Sequence, residues 1–577
     1  MGGKWRLFVL GWAVILAGAV LAHAVQTTGG VKVTDVRFPG DKGVVMSGLL
    51  YLPPGATAAH PAPAVLISHG YINTREMQSS FAIELSRRGF VVLAMDMTGH
   101  GYSGGAVGEQ GFGGPAALRY LQSRPEVDRG QIGLEGHSLG GGPVLSAAAA
   151  QPDGYRAIVL EGTTPGLLGS PATATPTTPR NVALVFGQFD EFAPLMWQVP
   201  KGSLVATSPR LQALFGAQGP VVEGKLYGDV AAGTGRRLWN PPVTHPWEHF
   251  SRAGVGHAVD WFQTTLKGEA RPLDPNNQIW LWKEIGTLVA FAGFVILLLG
   301  TFELLLAAPI FAGLAAEAQP TTLKRDGKWA LSLLATIAIP ALSFFAFMKL
   351  GNLFFPMKAF PQWITNQLLV WAILNGLITL ALGLVLRRGK SNLAKLGGPA
   401  VLLALAVMAV GYGSLALVDG LFKVDYRFWV LGLKPLDAVH ARYALTYLPL
   451  WTAYFLVAIR ALNANLSVKG EGALAAYATA ALAMAGGFAV LVGAQYATLF
   501  STGLLLTPTE PLNVIIAIQF VPLLAVVGII AAFAYRRTNS YVPGALICAM
   551  LICWYVTSGT ATHWSPDFKL PIPTAGK

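Results

Sequence analysis

The spacing of hydrophobic and polar residues divides the chain into two parts. From Val31 to about Gly268, short runs rich in β-branched residues alternate with helical and glycine-rich stretches, a texture typical of an α/β domain. The runs that predict strands are VKVTDVRF, VVMSGLLYL, APAVLISH, GFVVLAMDM, QIGLEG, RAIVLEG, NVALVFG and RRLWNPP. The first two predict an antiparallel hairpin at an edge. The later, continuously apolar runs predict a doubly wound, mainly parallel sheet with helices on both faces.

Long apolar runs dominate the sequence after a polar linker at residues 271–279. Eight of these runs are long enough to cross a hydrocarbon core of about 30 Å. They lie near residues 283–310, 329–348, 364–386, 399–421, 444–462, 473–500, 512–534 and 542–560. The pattern therefore predicts an all-α transmembrane bundle over residues 280–562, followed by an extracytoplasmic tail at residues 563–577.

A ninth apolar run, at residues 7–22, directly follows Lys4 and Arg6 within an N-terminal segment of residues 1–25. Such a segment is either a secretory signal peptide or an uncleaved membrane anchor. Its apolar core slightly exceeds the usual signal-peptide core of about 7 to 15 residues, which favours an anchor. Either alternative exports the α/β domain, residues 26–270, from the cytoplasm.

The composition supports a chain that lies largely in lipid. Hydrophobic residues make up 53% of the 577 residues and charged residues only 12%, and the mean hydropathy is +0.50. These values exclude an intrinsically disordered protein, and a count of two cysteines excludes a disulfide-rich scaffold. Both cysteines, Cys548 and Cys553, lie in the last predicted span, so we expect no disulfide in the α/β domain.

The net charge of +12 is concentrated beside the apolar runs. Residues 26–279 contain 19 Lys and Arg residues and 19 Asp and Glu residues, so the α/β domain has no basic excess and no nucleic-acid partner is expected. With Lys4 and Arg6 in the cytoplasm, most basic residues of the later loops also lie on the cytoplasmic side. This bias predicts a multi-pass protein of the plasma membrane, with the α/β domain extracytoplasmic. The absence of eukaryotic sorting signals favours a bacterial membrane.

The sequence Gly136-His137-Ser138-Leu139-Gly140 carries the clearest chemical signal. It lies between a predicted strand and a predicted helix, where a serine on a tight turn projects its hydroxyl above the sheet. Ser138 is therefore the predicted nucleophile. The helix N-terminus leaves the Leu139 amide free to bind a developing oxyanion, and the Tyr71 amide, in the loop after the third strand, is the predicted second donor.

These motifs occur in the order found in the α/β-hydrolase family, which the chain resembles over about residues 31–268. The resemblance rests on the His69-Gly70 turn, on Asp96-x-x-Gly99-His100-Gly101-x-Ser103 and on the turn at Ser138. It implies an eight-stranded core and a triad in the chain order serine, acid, histidine. It also implies that Asp96 fixes a structural turn near the site.

That order directs the search for an acid and a base to the residues after Ser138. The run NVALVFG ends before Asp190, the predicted acid, and Glu191 is its substitute if the turn is shifted by one residue. His245 follows the last predicted strand and is favoured as the base, with His249 as the alternative. His257 lies inside the following helix and is expected to have a structural role.

The predicted reaction is hydrolysis of an ester, thioester or amide through an acyl-serine intermediate, with a lipid-like acyl ester favoured and a peptide not excluded. Two alternatives stay open. An acyltransferase would use the same intermediate, and a transporter or lipid-handling protein would carry a non-catalytic, hydrolase-like binding module. The sequence predicts no cofactor and no metal site. The expected partners are the lipid bilayer and the acyl substrate, and the oligomeric state is left open.

Substrate selection is predicted to involve the membrane domain. The segment Thr163–Arg180 is too short and irregular for a helical lid, while an insert at about Val199–Arg236 is long enough to cover the pocket. The loop Phe422–Tyr443 mixes aromatic and basic residues, as interfacial segments do, and is expected to help complete the pocket. Four polar residues in the predicted spans also stand out: Glu303, Asn375, Asp419 and Gln495. Only Glu303 is deep enough to raise the question of a transport or relay role, which is not the favoured interpretation.

Overall fold

An eight-stranded sheet forms the centre of the α/β domain. The structure is a computed structural model and describes residues 4–316, 323–386, 397–558 and 563–566. The chain begins with helix α1 (Arg6–Gln26), and the sheet follows. Its strands are β1 (Lys32–Pro39), β2 (Val45–Leu52), β3 (Ala62–Ser68), β4 (Val91–Met95), β5 (Val127–His137), β6 (Ala157–Glu161), β7 (Val182–Val185) and β8 (Arg236–Trp239). Each strand coincides with one predicted run.

The strand order is β1-β2-β4-β3-β5-β6-β7-β8. β1 pairs antiparallel with β2, and β2 pairs antiparallel with β4. All other neighbours are parallel, so their carboxyl ends meet at one edge of the sheet. The predicted fold class, a mainly parallel α/β sheet with an antiparallel hairpin at one edge, is confirmed.

Helices cover both faces of this sheet. They are α2 (Ser79–Arg87), α3 (Gly114–Ser123), α4 (Gly141–Ala150), α5 (Ala193–Trp197), α6 (Pro209–Phe215), α7 (His245–Glu248) and α8 (Arg252–Thr265). The core under α3 and α4 includes Leu118 and Val144, and the opposite core includes Phe81 of α2 and Phe262 of α8. Apolar residues therefore face the sheet from two sides, as the alternation of strands and helices predicts.

The second half of the chain is helical. Its helices are α9 (Trp280–Leu305), α10 (Gly327–Leu342), α11 (Phe344–Lys349), α12 (Gly351–Phe354), α13 (Trp363–Leu386), α14 (Gly398–Phe422), α15 (Ala438–Leu466), α16 (Ala473–Thr502), α17 (Pro511–Thr538) and α18 (Val542–Ser558). In the described part of the chain, seven helices are long and apolar enough to cross a membrane: α1, α9 and α13 to α17. These helices are compatible with a multi-pass membrane protein.

Two of the eight apolar runs predicted after residue 280 coincide with shorter helices. The run near 329–348 is divided between α10, of 16 residues, and α11, and α10 contains Pro340 two residues before its end. The division falls at Ser343, three residues after the proline. The run near 542–560 coincides with α18, of 17 residues.

Helix α1 packs along α9 through glycines. A Cβ atom on Gly293 would lie 2.6 Å from the backbone nitrogen of Ile15, and one on Gly18 would lie 2.4 Å from the carbonyl oxygen of Gly286. A Cβ atom on Gly300 would likewise lie too close to the backbone of Phe8 in α1. These positions need glycine because the two backbones touch, and the helix pair is close over most of its length.

A loop between α14 and α15, residues 423–437 and here named the docking loop, contacts the α/β domain. It contains a small antiparallel hairpin of β9 (Tyr426–Phe428) and β10 (Leu431–Leu433). Lys434 of the docking loop pairs with Glu76, and Arg427 pairs with Asp425 within the loop. The Lys434–Glu76 pair thus links the docking loop to the segment that follows β3.

The polar residues singled out in the predicted spans mostly contact their neighbours. Gln495 donates to Thr507 Oγ1 at 2.9 Å, and Asn375 donates to Ser343 Oγ at 3.1 Å. Glu303 lies 3.5 Å from the Arg537 guanidinium, and Asp419 lies in the last turn of α14. Asn375 thus bonds the junction of α10 and α11, and Gln495 bonds the loop between α16 and α17, so local packing accounts for both residues.

Candidate active site

Ser138 lies on a tight turn between β5 and α4. Its φ angle is +55°, in the left-handed region that side chains rarely adopt. A Cβ atom on Gly136 would lie 2.1 Å from the Gly140 carbonyl oxygen, and one on Gly140 would lie 2.3 Å from the Ser68 carbonyl oxygen. The two glycines are thus required by close backbone approach, and the turn holds a half-buried Ser138 at the carboxyl edge of the sheet.

The structure brings Ser138, His245 and Asp190 together in one hydrogen-bonded chain. The Nε2 atom of His245 lies 2.9 Å from Ser138 Oγ, and its Nδ1 atom lies 2.8 Å from Asp190 Oδ2. Asp190 Oδ1 also accepts a hydrogen bond from the Phe192 amide at 2.7 Å, which fixes the carboxylate. Nucleophile, base and acid are spaced as acyl transfer requires.

The immediate surroundings of His245 favour its charged form. Burial lowers the pKa of the imidazole, but the charge of Asp190 and the hydrogen bond to it outweigh burial and raise the pKa above its ordinary value. His245 begins α7, directly after Thr244, so the helix start fixes the position of its backbone. A base with this environment stabilises the imidazolium that forms when serine loses its proton.

The two other histidines considered from the sequence lie elsewhere. The ring of His249 packs against His137, with centroids 4.4 Å apart, and burial lowers its pKa to about 3. Its two ring nitrogens have no hydrogen-bond partner among the described residues. His257 stacks on Trp239 in α8, and burial lowers its pKa to about 4. Of the candidate bases, His245 is the one that contacts Ser138.

Both predicted oxyanion donors lie beside Ser138. The loop after β3 passes the nucleophile so closely that a Cβ atom on Gly70 would lie 3.1 Å from Ser138 Cβ. Tyr71 follows in this loop, and Leu139 is in the first turn after the nucleophile, where amides have no partner inside the helix. The segments that carry the Tyr71 and Leu139 amides therefore lie next to Ser138, and their role as oxyanion donors stays a prediction.

Glu191 has a position that the sequence did not predict. Its Oε2 atom accepts a hydrogen bond from the His245 amide at 2.8 Å, and its Oε1 atom accepts one from the Tyr496 hydroxyl at 2.8 Å. Burial and then the charge of Asp190 raise the pKa of Glu191 to about 7. Glu191 thus supports the backbone of His245, whereas Asp190 contacts its ring.

Asp96 fixes the turn after β4, as the family resemblance implies. Its Oδ2 atom accepts hydrogen bonds from Ser47 Oγ and the Tyr102 amide, and its Oδ1 atom accepts one from the Arg75 amide at 2.9 Å. The carboxylate is fully buried. A buried carboxylate with this many donors holds the loops around the site in place.

One further cluster lies beneath the triad. Among the described residues, His137, His245 and Glu248 are the one group of three with metal-ligating atoms within 4.8 Å of each other. His245 Nδ1 is engaged by Asp190, however, and Glu248 Oε1 accepts a hydrogen bond from the Gly187 amide at 2.6 Å. Burial and the charge of Asp190 raise the pKa of Glu248, which favours its neutral form. The cluster fits a hydrogen-bonded support for the Asp190 turn.

Side chains of the helical domain line one side of the site. Trp564 donates a hydrogen bond to the Tyr71 hydroxyl at 3.0 Å. Its ring belongs to a buried apolar cluster that includes Met97 and Leu139, and Met357 and Trp363 pack against the same cluster. An apolar wall therefore adjoins the oxyanion donors, and part of it comes from the second half of the chain.

A second side of the site also meets the helical domain. Phe189, one residue before the acid, packs edge to face against Phe500 of α16, with centroids 5.2 Å apart. In the docking loop, the Trp429 indole donates to the carbonyl oxygen of Pro246, the residue after His245. Within the insert at 199–236, Leu211 and Leu214 of α6 pack into the core under the sheet, and Gly202 lies against the turn that carries Asp190. Its role in covering the pocket stays a prediction.

Comparisons with known proteins concern the α/β domain. A family model of the alpha/beta hydrolase fold matches residues 63–215. A bis(hydroxyethyl) terephthalate hydrolase from Streptomyces coelicolor is 34% identical over 136 residues, which are 22% of this chain and 42% of that protein. A monoacylglycerol lipase from Mycolicibacterium smegmatis is 32% identical over 114 residues, 18% of this chain and 38% of that protein. The chain thus spans less than half the length of these relatives.

Among solved structures, a thermostable carboxylesterase cloned from a metagenomic library aligns with 45% of this chain and 97% of its own. The sequence identity is 17% and the TM-score is 0.32.

Proposed function

We propose that this protein, whose first half is an α/β-hydrolase domain, is a membrane-embedded serine hydrolase that cleaves lipid-like acyl esters. The observation that carries the proposal is the chain of hydrogen bonds from Ser138 through His245 to Asp190, at 2.9 Å and 2.8 Å. A half-buried serine hydroxyl in such a chain is poised for nucleophilic attack.

The reaction follows from the positions of these groups. His245 Nε2 takes the proton of Ser138 as Oγ bonds to the ester carbonyl carbon, and the Tyr71 and Leu139 amides donate to the resulting oxyanion. His245 then gives this proton to the leaving alcohol as the ester bond breaks. Water, deprotonated by His245, attacks the acyl-serine, and the carboxylic acid leaves with Ser138 restored. Asp190 stays ionised and stabilises the imidazolium throughout.

The surroundings of the triad support an apolar acyl group. The cluster of Met97, Leu139 and Trp564 places an apolar surface next to the oxyanion donors. The relatives named above are a monoacylglycerol lipase and a terephthalate hydrolase, which favours an ester over a peptide. A substrate that enters from lipid would meet this wall directly.

The proposed location is the plasma membrane of a bacterium, with the hydrolase domain outside the cytoplasm. Seven long apolar helices support several crossings of a bilayer. The distribution of basic residues supports the orientation. Arg6 at the start of α1 and Arg536 and Arg537 at the end of α17 lie at helix ends remote from the hydrolase domain.

The test is an activity screen of the full-length protein in lipid nanodiscs. The panel contains p-nitrophenyl esters of increasing chain length, thioesters and short peptides, and each assay is repeated with Ser138→Ala. A fluorophosphonate probe reports the reactive serine independently of substrate choice. We expect ester cleavage and probe labelling that both vanish in Ser138→Ala. Equal cleavage by the two proteins would overturn the proposal, as would an unlabelled wild-type serine. Product analysis with a labelled acyl donor separates transfer to water from transfer to an alcohol.

A further inference from the structure

One side chain of the helical domain reaches the residues that hold the triad. Tyr496 lies on α16, and its hydroxyl donates to Glu191 Oε1 at 2.8 Å. The other oxygen of the same carboxylate accepts from the His245 amide at 2.8 Å. A single buried carboxylate therefore links a helix long enough to cross the membrane to the backbone of the proposed base.

We propose that Tyr496 is a positioning residue for His245, acting through Glu191, so that the hydrolase site is complete only when α16 is in place. This inference rests on the proposed function of the triad. Tyr496 touches no reacting atom. It fixes Glu191, and Glu191 fixes the backbone from which the imidazole projects and adds a negative charge near it.

The buried position of Glu191 makes the Tyr496 hydroxyl important. Glu191 is only 6% exposed, so water does not replace a lost donor easily. The groups that face its carboxylate are Asp190, His245 and Tyr496. Burial and Asp190 disfavour the ionised form, whereas the other two favour it. Removing the Tyr496 hydroxyl therefore shifts Glu191 towards its neutral form, which weakens its hydrogen bond to His245.

The ionised form of Glu191 also serves the chemistry. Its charge is among the influences that raise the pKa of His245, so it favours the imidazolium that forms as Ser138 attacks. The neutral form lacks this charge. A tyrosine that keeps Glu191 ionised thus lowers the barrier indirectly, without contacting the substrate.

The end of α16 is itself held in place. The Gln495 side chain donates to Thr507 Oγ1 at 2.9 Å and accepts from the Thr507 amide at 3.0 Å, which closes the turn towards α17. Phe500, one turn after Tyr496, packs against Phe189 beside the acid. Two contacts of α16, one polar and one aromatic, therefore meet the same Phe189–Glu191 segment. A displacement of α16 in the membrane would be transmitted to the triad.

The experiment compares full-length variants in nanodiscs on the best ester from the screen. We expect Tyr496→Phe and Glu191→Gln each to lower kcat about tenfold, with KM changed less than twofold. The double variant should be no slower than the slower single variant, because both substitutions interrupt the same link. Tyr454→Phe, which removes a hydroxyl from α15, is the matched control and should retain wild-type kcat within twofold.

The pH profile separates positioning from a general loss of structure. The rising limb of kcat should move to lower pH in Tyr496→Phe, since Glu191 loses a donor that favours ionisation and neutral Glu191 no longer raises the pKa of His245. It should move in the same direction in Glu191→Gln, since that charge is removed outright. A merely structural role would leave the rising limb in place.

The outcomes distinguish this inference from the proposed function. If the wild type labels with fluorophosphonate and Tyr496→Phe labels equally fast with the same pH profile, the positioning role is overturned and the serine hydrolase stands. If the wild type neither labels nor hydrolyses any ester, both proposals fail. Independent, additive effects of the two substitutions would also overturn the link through Glu191.

Discussion

Lys434 of the docking loop forms an ion pair with Glu76 of the α/β-hydrolase domain, with its Nζ atom 2.6 Å from Oε1 and 2.7 Å from Oε2. The lysine side chain is 3% exposed and the glutamate side chain 12%. Arg75 lies next to the same carboxylate. The two halves of the chain therefore meet through charges that are out of reach of bulk water. Separating them would leave Lys434 without its carboxylate and Glu76 with Arg75 and Thr74 as partners.

Substitution of Lys434 should loosen this contact. Removing one partner of a buried pair typically costs about 3 to 5 kcal/mol, so we expect Lys434→Met to lower the unfolding free energy of the full-length protein by that order. Thermal unfolding of the protein and hydrogen exchange of residues 74–78 measure this loss of stability. Lys267→Met, at an exposed lysine, is the control. Unchanged exchange in Lys434→Met would show that the docking loop does not depend on this pair.

The pH dependence of this contact has a definite direction. Burial raises the pKa of Glu76, but Lys434 and Arg75 outweigh burial and hold it well below the ordinary value of 4.5. The stabilisation is therefore fully present above pH 4.5 and is lost only as the pH falls through the lowered pKa. We expect the protection factors of residues 74–78, which are the exchange rates corrected for base-catalysed intrinsic exchange, to stay constant between pH 5 and 8. A fall in these protection factors between pH 6 and 5 would contradict the assignment.

Activity should rise with pH because His245 must be neutral to accept the serine proton. Its pKa lies above the ordinary value of 6.5, mainly because Asp190 outweighs burial. Asp190→Asn removes this influence, so the rising limb of the residual activity should move to lower pH, and kcat should fall by about 10³ to 10⁴. His257→Ala is the control and should leave kcat within threefold. A rising limb that stays in place in Asp190→Asn would argue against Asp190 as the partner of His245.

Trp564 should affect the choice of acyl chain. Its ring packs in the apolar cluster with Leu139, next to the predicted oxyanion donor. We expect Trp564→Ala to lower kcat/KM about tenfold for long-chain esters and less than threefold for short ones, because only a long chain loses the apolar contact. The comparison uses p-nitrophenyl butyrate and decanoate, with Trp282→Ala, an exposed tryptophan on α9, as the control. Equal losses of kcat/KM on both esters would indicate that the acyl chain of the substrate binds elsewhere.

A side chain at Gly293 should disrupt the pairing of α1 with α9. Its Cβ atom would lie 2.6 Å from the backbone of Ile15, so Gly293→Val forces the helices apart, at a cost of roughly 1 to 3 kcal/mol. Gly413→Val in α14 is the control, since no atom lies within 4 Å of a Cβ atom there. The Tm in nanodiscs should fall for the first variant only. An equal Tm for the two variants would mean that α1 does not pack tightly against α9.

Local patterns predicted much of the hydrolase domain. The apolar runs predicted all eight strands, and the Gly136-to-Gly140 motif predicted the turn at Ser138, because backbone crowding there admits only glycine. The sequence favours His245 over His249 but does not exclude His249, since both follow the last strand. The choice depends on where α7 begins, and it begins at His245.

Contacts between the two halves of the chain were beyond sequence reasoning. Glu191 and Tyr496 are 305 positions apart, and a tyrosine inside an apolar run has no local feature that indicates a carboxylate partner. Trp564 follows the last helix, where the sequence predicted only a tail. The apolar run near 329–348 continues through Ser343, so hydropathy alone does not register its division into α10 and α11.

The pairing of α1 with α9 imposes an order on biosynthesis. Residues 27–279 are translated between the two helices, which takes roughly 10 to 50 seconds at ordinary ribosomal speeds. In the proposed orientation, α1 lies in the bilayer during that time without its partner helix, while the α/β domain is exported and folds. Once α9 is inserted beside α1, the two ends of the α/β domain are joined by one helix pair.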